Sequence, residues 1–258
     1  MIDVTRLLSR GCDSQAKVGI GASSTLHAAV SKDLSRLGCD LRLTRFRDSD
    51  SLVSALGKGN LDAAVRGTLG SGSTMLALRL EFGLKRVMRT AIMENSQGKR
   101  FLMTPVGIDE GMALETRLEL VENTVAYFSR LRWKPSIGIL SKGRLEDVGR
   151  GEEIRSSVEE GELMARKLRN RGYSAKHYAI LIEDAVEKSD LVVAPDGITG
   201  NLIFRSIYFV GGGKAYGAPV VNLQKVFVDT SRAKPDFSDS VMIAAGLAET
   251  DPSRRSRA

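Results

Sequence analysis

Short apolar runs alternate with amphipathic helices along nearly all of this 258-residue chain, and that alternation restricts the fold more than any other feature. Lys17-Val18-Gly19-Ile20 reads as a buried strand, and Gly21-Ala22-Ser23-Ser24 carries the serine caps of a helix start. The helix predicted from about Thr25 to Leu37 lines Leu26, Val30, Leu34 and Leu37 along one side. Strands are predicted at Leu41 to Phe46 and Leu61 to Val65, with a short helix from Leu52 to Leu56 between them. The small-residue loop Gly67 to Gly72 precedes a helix from about Ser73 to Phe82. Two β-like runs follow, Arg86 to Met93 and Lys99 to Val106, joined by a polar turn at Asn95 to Gly98.

Leu114, Leu118, Val121, Val125 and Phe128 step by four and three, the seam of an amphipathic helix. Ile154, Val158, Gly161, Ala165 and Leu168 repeat that stepping in a helix ended by Gly172. Pro135 to Leu140, Asp190 to Pro195 and Pro219 to Leu223 read as further strands, the second too apolar for a wet face. About six repeats of strand, helix and short loop predict an α/β chain with a largely parallel sheet covered on both faces. A Rossmann-like three-layer α/β/α fold accommodates this better than a TIM barrel, because the tandem runs at Arg86 to Val106 suit a mixed sheet.

Composition removes several function classes. Apolar residues make up 42%, charged residues 27% and aromatics 5%, and no apolar run approaches the roughly 18 residues of a membrane span. Met1 to Asp13 carries Asp3, Arg6 and Arg10 and lacks a signal-peptide core, which predicts a cytoplasmic chain. Cys12 and Cys39 stand 27 apart with no CxxC, so a disulfide scaffold and a cysteine zinc site are not expected. They are predicted instead as small apolar residues, and with only His27 and His177 no metal site is expected. The net charge of +7 favours anionic partners, but the basic residues are scattered and no aromatic platform accompanies them. Nucleic acid is therefore not the expected partner, and the tail with Arg254, Arg255 and Arg257 is predicted to be disordered.

No GxGxxG, Walker GxxxxGK[ST] or GxSxG motif is present, which disfavours dinucleotide oxidoreductases, P-loop NTPases and α/β-hydrolases. Three strand-end segments remain as candidate sites. In Asp196-Gly197-Ile198-Thr199-Gly200-Asn201 the glycines permit close backbone approach, and the helix-start amides could cradle an anion beside Thr199 or Asn201. The alternative is a plain turn with Asp196 or Thr199 capping the helix. Asp229-Thr230-Ser231-Arg232 offers a guanidinium fork and a hydroxyl for phosphate, with Asp239 seven residues after the arginine as a general base or an ordinary cap. Gly70-Ser71-Gly72-Ser73-Thr74 could bind phosphate or carboxylate through N–H groups, or simply cap its helix.

Residues 190–201, followed by Gly212-Gly213-Lys214-Ala215-Tyr216-Gly217-Ala218-Pro219, resemble the C-terminal signature of phosphotransacetylases. The Asp-Gly-x-Thr-Gly-Asn version, Asp196 to Asn201, is similar to the phosphate acyltransferase of bacterial phospholipid synthesis. Asp62 to Gly67 is similar to the strand and loop before that family's first substrate loop, and Asp229 to Arg232 to its Asp-x-Ser-Arg. The overall pattern resembles the methyltransferase-related MtxX proteins, also called methanogen marker protein 4, an archaeal branch of this superfamily.

The resemblance implies the isocitrate/isopropylmalate dehydrogenase-like fold, two α/β subdomains with a cleft, as a homodimer. It implies a first domain at residues 1–90 completed by 225–248 and a second at 91–224, with 249–258 as the basic tail. Ser231 and Arg232 would then hold phosphate and Asp239 would deprotonate coenzyme A. Gly70, Ser71, Ser73, Thr74, Asp196, Thr199, Gly200 and Asn201 would position the substrate. The expected activity is transfer of an acyl group, or a methyl group, between a phosphate or thiol carrier and its partner, with coenzyme A or an acyl phosphate as substrate and no tightly bound cofactor. The other expectation is a non-catalytic accessory protein that binds a phosphorylated ligand or a methyltransferase partner.

Overall fold

The computed structural model describes residues 2–250, so the expected basic tail from 251 onward lies outside the described residues. The chain divides into two compact units. A terminal unit takes residues 3–87 and 216–250, and a middle unit takes residues 2 and 88–215.

The terminal unit begins with α1 (Val4–Cys12), β1 (Lys17–Gly21), α2 (Ser24–Arg36), β2 (Arg42–Phe46), α3 (Ser49–Gly57), β3 (Ala63–Val65) and α4 (Ser71–Phe82). The middle unit follows with β4 (Ala91–Glu94), β5 (Arg100–Thr104), α5 (Leu114–Phe128), β6 (Ser136–Ile139), α6 (Glu152–Asn170), β7 (Ser174–His177), α7 (Ile182–Lys188), β8 (Leu191–Val193) and α8 (Gly197–Arg205). The chain then returns through β9 (Lys214–Pro219), β10 (Val226–Asp229) and α9 (Ser238–Ala248).

In the terminal unit the strand order is β2-β1-β3-β10-β9, parallel except where β9 runs against β10. In the middle unit it is β4-β5-β8-β6-β7, an antiparallel β4–β5 hairpin leading into parallel strands. The sheets are open and mixed, as the tandem runs at 86–106 suggested, and helices lie on both sides. Open sheets exclude the barrel alternative.

The terminal core gathers Leu52, Leu56, Met75, Leu78, Val220 and Phe227. Each such side chain contributes about 1.5–3 kcal/mol relative to exposure. α1 crosses α9 closely because two glycines meet there: a Cβ on Gly11 would lie 1.8 Å from the Met242 carbonyl oxygen, and one on Gly246 would lie 2.2 Å from that of Leu7. In the middle unit the predicted seam of α5 is buried at Leu114, Leu118, Val121 and Phe128. Val125 is half-buried, and Thr124 goes inward instead, its hydroxyl 2.6 Å from that of Thr90.

Several expectations are corrected. The run Pro219 to Leu223 is not a strand: β9 ends at Pro219, and the strand beyond it is Val226–Asp229. Val220 and Leu223 are apolar because they fill the terminal core, Val220 from a single bridge to Phe227 just past β9 and Leu223 from the loop beyond it. α1, β7 and α7 carry no predicted element. β7 is an edge strand in which Ala175 is the buried residue, so it lacks the apolar alternation that marks a strand. Cys12 and Cys39 are not free thiols but a disulfide, with Cα atoms 4.4 Å apart. Their spacing hides this, because the unpredicted α1 delivers Cys12 to the turn after α2.

Candidate functional site

In the terminal unit, the segment after β10 is fastened to the loop after β3 by one buried arginine. Arg66 Nε donates to the Asp229 carboxylate, Nη2 to the Thr230 carbonyl, and Nη1 to the Leu69 carbonyl at 2.7 Å. Asp229 also accepts the Thr230 amide at 2.9 Å, and the Thr230 hydroxyl donates to the Gly67 carbonyl at 3.1 Å. Gly67 has φ +59°, and a Cβ there would lie 2.1 Å from the Gly21 carbonyl oxygen, so glycine is required on both counts. Arginine suits the position because its planar fork reaches three acceptors at once.

This lashing ties Asp229 and Thr230, just before Ser231 and Arg232, to the loop that leads into α4. Ser231 shapes the turn, accepting the Ala233 amide at 3.3 Å on its hydroxyl and the Lys234 amide at 3.1 Å on its carbonyl. Arg232 is exposed and makes no ion pair among the described residues. At α4, Gly70 is the N-cap and offers no side chain, so the amides of Ser71, Gly72 and Ser73 have no intrahelical acceptor. Those amides and the helix dipole favour an anion.

The hydroxyls nearby are already engaged. Thr74 is fully buried, donates to the Gly70 carbonyl at 2.8 Å and lies 2.8 Å from the Ser49 hydroxyl. Ser73 donates to the same carbonyl at 3.0 Å. Thr74 is thus buried within the frame of this helix start.

Asp239 stands in the first turn of α9, half-buried, and its carboxylate accepts from the Lys234 ammonium at 2.7 Å. Ser240 donates its hydroxyl to Asp239 at 3.1 Å. Asp236 accepts both the amide and the hydroxyl of Ser238, at 2.9 and 2.8 Å, and so anchors the helix start. Sequence reasoning missed Lys234, since a lysine before a proline in a polar turn shows no periodicity that distinguishes it from a solvated one.

The second motif lies in the middle unit. Asp196 is the N-cap of α8 and accepts the Thr199 amide at 2.7 Å as well as the Thr199 hydroxyl. Lys142, in the turn after β6, pairs with Asp196 at 3.1 Å and with Glu153 at 2.8 Å. Burial opposes the charge on Asp196, yet the Thr199 bonds and Lys142 outweigh it and hold the carboxyl below its ordinary value. The bond to Glu153 chiefly, with Asp196 assisting against desolvation, raises Lys142 above its ordinary value.

Gly200 and Gly197 are there for packing: a Cβ would lie 1.9 Å from the Pro105 carbonyl oxygen and 1.8 Å from that of Gly107. Asn201 donates its amide to the Val106 carbonyl at 2.9 Å. The turn from Asp196 to Asn201 is thus capped by Asp196 and tied through Asn201 to the loop after β5. Nearby, the buried pair Arg89–Glu110 fixes the loop after β5, with burial raising Glu110. Among the described residues, no group of three or more His, Cys, Asp or Glu is placed to hold a metal ion. No helix among them is long and apolar enough to cross a membrane.

The fold is that of the phosphotransacetylase class. A branched-chain phosphotransacylase from Enterococcus faecalis V583 superposes with TM-score 0.67 at 18% identity, covering 92% of this chain and 99% of that one. A phosphotransacetylase from Streptococcus pyogenes gives 0.64 at 16%, covering 95% and 98%. A 4-hydroxythreonine-4-phosphate dehydrogenase from Burkholderia phymatum gives 0.53 at 13%, covering 96% and 92%.

No family model matches the chain. In sequence it is 38% identical over 237 residues, 92% of its length and 85% of the relative's, to a protein of Methanosarcina acetivorans provisionally named methyltransferase mtx subunit X. An uncharacterized methyltransferase of Methanopyrus kandleri is 41% identical over 219 residues, 82% of this chain and 85% of that protein. The chain belongs to the methyltransferase mtx subunit X family.

Proposed function

We propose that this chain is a transferase that moves an acyl group between phosphate and a thiol carrier of the coenzyme A type. The observation that supports this reading is the Arg66 lashing, which ties the residues just before Ser231 and Arg232 to the loop that leads into the uncapped start of α4. In this reading Arg232 and Ser231 hold the phosphate. Ser71, Gly72 and Ser73 donate their amides to an oxygen that gains charge, and Asp239 takes the thiol proton. The names of the relatives suggest a methyl group as the alternative cargo and a methyltransferase as a partner. A homodimer belongs to the same reading, by analogy with the phosphotransacetylase class.

Release of free thiol from acetyl- and longer acyl-coenzyme A, with and without phosphate, tests the reading. Phosphate-dependent release that Asp239→Asn abolishes supports it. No release with any acyl chain, from folded protein, opposes it.

A second reading, a non-catalytic accessory protein that binds a phosphorylated ligand, draws on the Lys234–Asp239 ion pair. With the Lys234 ammonium seated on it, the Asp239 carboxylate forms a structural ion pair at the start of α9. Stabilisation by acyl phosphate without turnover would favour this reading.

A further inference from the structure

Cys12 closes α1 and Cys39 lies in the turn after α2, and their disulfide ties two segments 27 residues apart. Both cysteines are half-buried, while Asp13, Leu37, Gly38 and Asp40 beside them are exposed, so a small thiol can reach the bond. The same two segments are held together without it. Gln15 donates its side-chain amide to Asp40 at 2.7 Å across the two segments, and Cys12 Sγ lies 3.8 Å from the Leu37 carbonyl oxygen. These contacts favour the two sulfurs staying near each other after reduction.

The pair also abuts α9. Cys39 Sγ is 3.7 Å from Met242 Sδ, and Gly11, next to Cys12, packs on the Met242 carbonyl. Met242 is about one turn along α9 from Asp239.

We propose that Cys12 and Cys39 form a reversible thiol–disulfide site, open to low-molecular-weight thiols, whose state sets how firmly α9 is held. A small thiolate attacks one sulfur, the Cys12–Cys39 bond breaks, and one protein thiolate leaves and takes a proton. A second small thiol then resolves the mixed disulfide, leaving two protein thiols and one small disulfide. The reverse reaction uses the small disulfide as oxidant. This inference stands independently of the acyl-transfer reading.

The test uses the full chain in native buffer, alkylated and weighed before reduction, after dithiothreitol, and after return to oxidised glutathione. The expected result is no alkylated cysteine at first, two after reduction, and none again after reoxidation. The melting midpoint should fall by about 5–10 °C on reduction and recover. Cys12→Ser should melt near the reduced protein and ignore dithiothreitol; should it fail to fold, the wild-type comparison decides. Cysteines that alkylate without reductant and stay free in oxidised glutathione would overturn the proposal. So would a bond that yields only when the chain unfolds, or a midpoint indifferent to reduction.

Discussion

The ammonium of Lys234 lies 2.7 Å from the carboxylate of Asp239, and the lysine is buried while the aspartate is partly exposed. Five residues of polar turn and helix start bring them together, so the charge of Asp239 is balanced from within its own segment. Arg66 is likewise paired, with Asp229. Arg232 is then the exposed cation that this segment offers to an anion.

Lys234→Met should leave Asp239 without its ammonium partner in the segment that carries Arg232. Phosphate affinity is expected to fall about tenfold, because a negative charge faces the ligand. Lys234→Arg should restore most of it. Isothermal titration with inorganic phosphate reads both, and unchanged affinity in Lys234→Met would mean that the pair does not bear on the anion site.

Arg66→Met should destabilise the terminal unit by about 3–5 kcal/mol, since it strands the buried Asp229 carboxylate and two carbonyls. Arg66→Lys should recover little, as one ammonium cannot reach all three acceptors. Adding Asp229→Asn to Arg66→Met should restore part of the loss, read by urea unfolding. A cost below about 1 kcal/mol would show that the lashing is not what holds the segment.

The Asp196 cap predicts a pH dependence of defined sign. Its carboxyl is held below the ordinary value of 3.8, so its contribution is present above that pH and is lost as pH falls through the lower folded value. Asp196→Ala should cost about 0.5–2 kcal/mol at neutral pH, and the gap to wild type should close in acid. An unfolding series from pH 7 to pH 2 checks it; a gap independent of pH would contradict the assignment.

His177 adds a second window. Burial pulls its ring below the ordinary 6.5 against the attraction of Glu162, so the folded state prefers the neutral form. Its contribution is full above pH 6.5 and declines as pH drops below it. His177→Gln should remove that decline without moving stability at pH 8 by more than about 1 kcal/mol. Gly161 leaves room for the ring, since a Cβ there would lie 2.6 Å from Nε2.

Long-period packing was the most legible property of the chain. Most of the α5 seam and of the α6 stepping is buried where the spacing places it, Val125 and Ile154 being only half-buried, because a helix lying on a sheet must present one apolar stripe. β7 was illegible, since an edge strand with one buried side chain has no alternation to read. Val221 and Leu223 misled because burial in the connection between β9 and β10 leaves the same apolar signature as a strand.

The site shows the same division. Ser231, Arg232 and Asp239 stand in one loop-and-helix segment, as their closeness in sequence suggests. The residues that secure them are long-range or aperiodic: Arg66 reaches Asp229 across 163 positions, and Lys234 looks like any surface lysine until its burial is seen. Thr74 and Asn201 look like ligand contacts in sequence because hydroxyl and amide groups at helix starts serve frames and ligands alike.

The most direct test of an anion site in the terminal unit is the melting midpoint in a phosphate titration of wild type, Arg232→Ala and Lys142→Ala. Phosphate should raise the midpoint of wild type and of Lys142→Ala by the same amount, and should do little for Arg232→Ala. Full stabilisation of Arg232→Ala, with the effect lost in Lys142→Ala, would place the anion at the α8 turn and contradict the assignment.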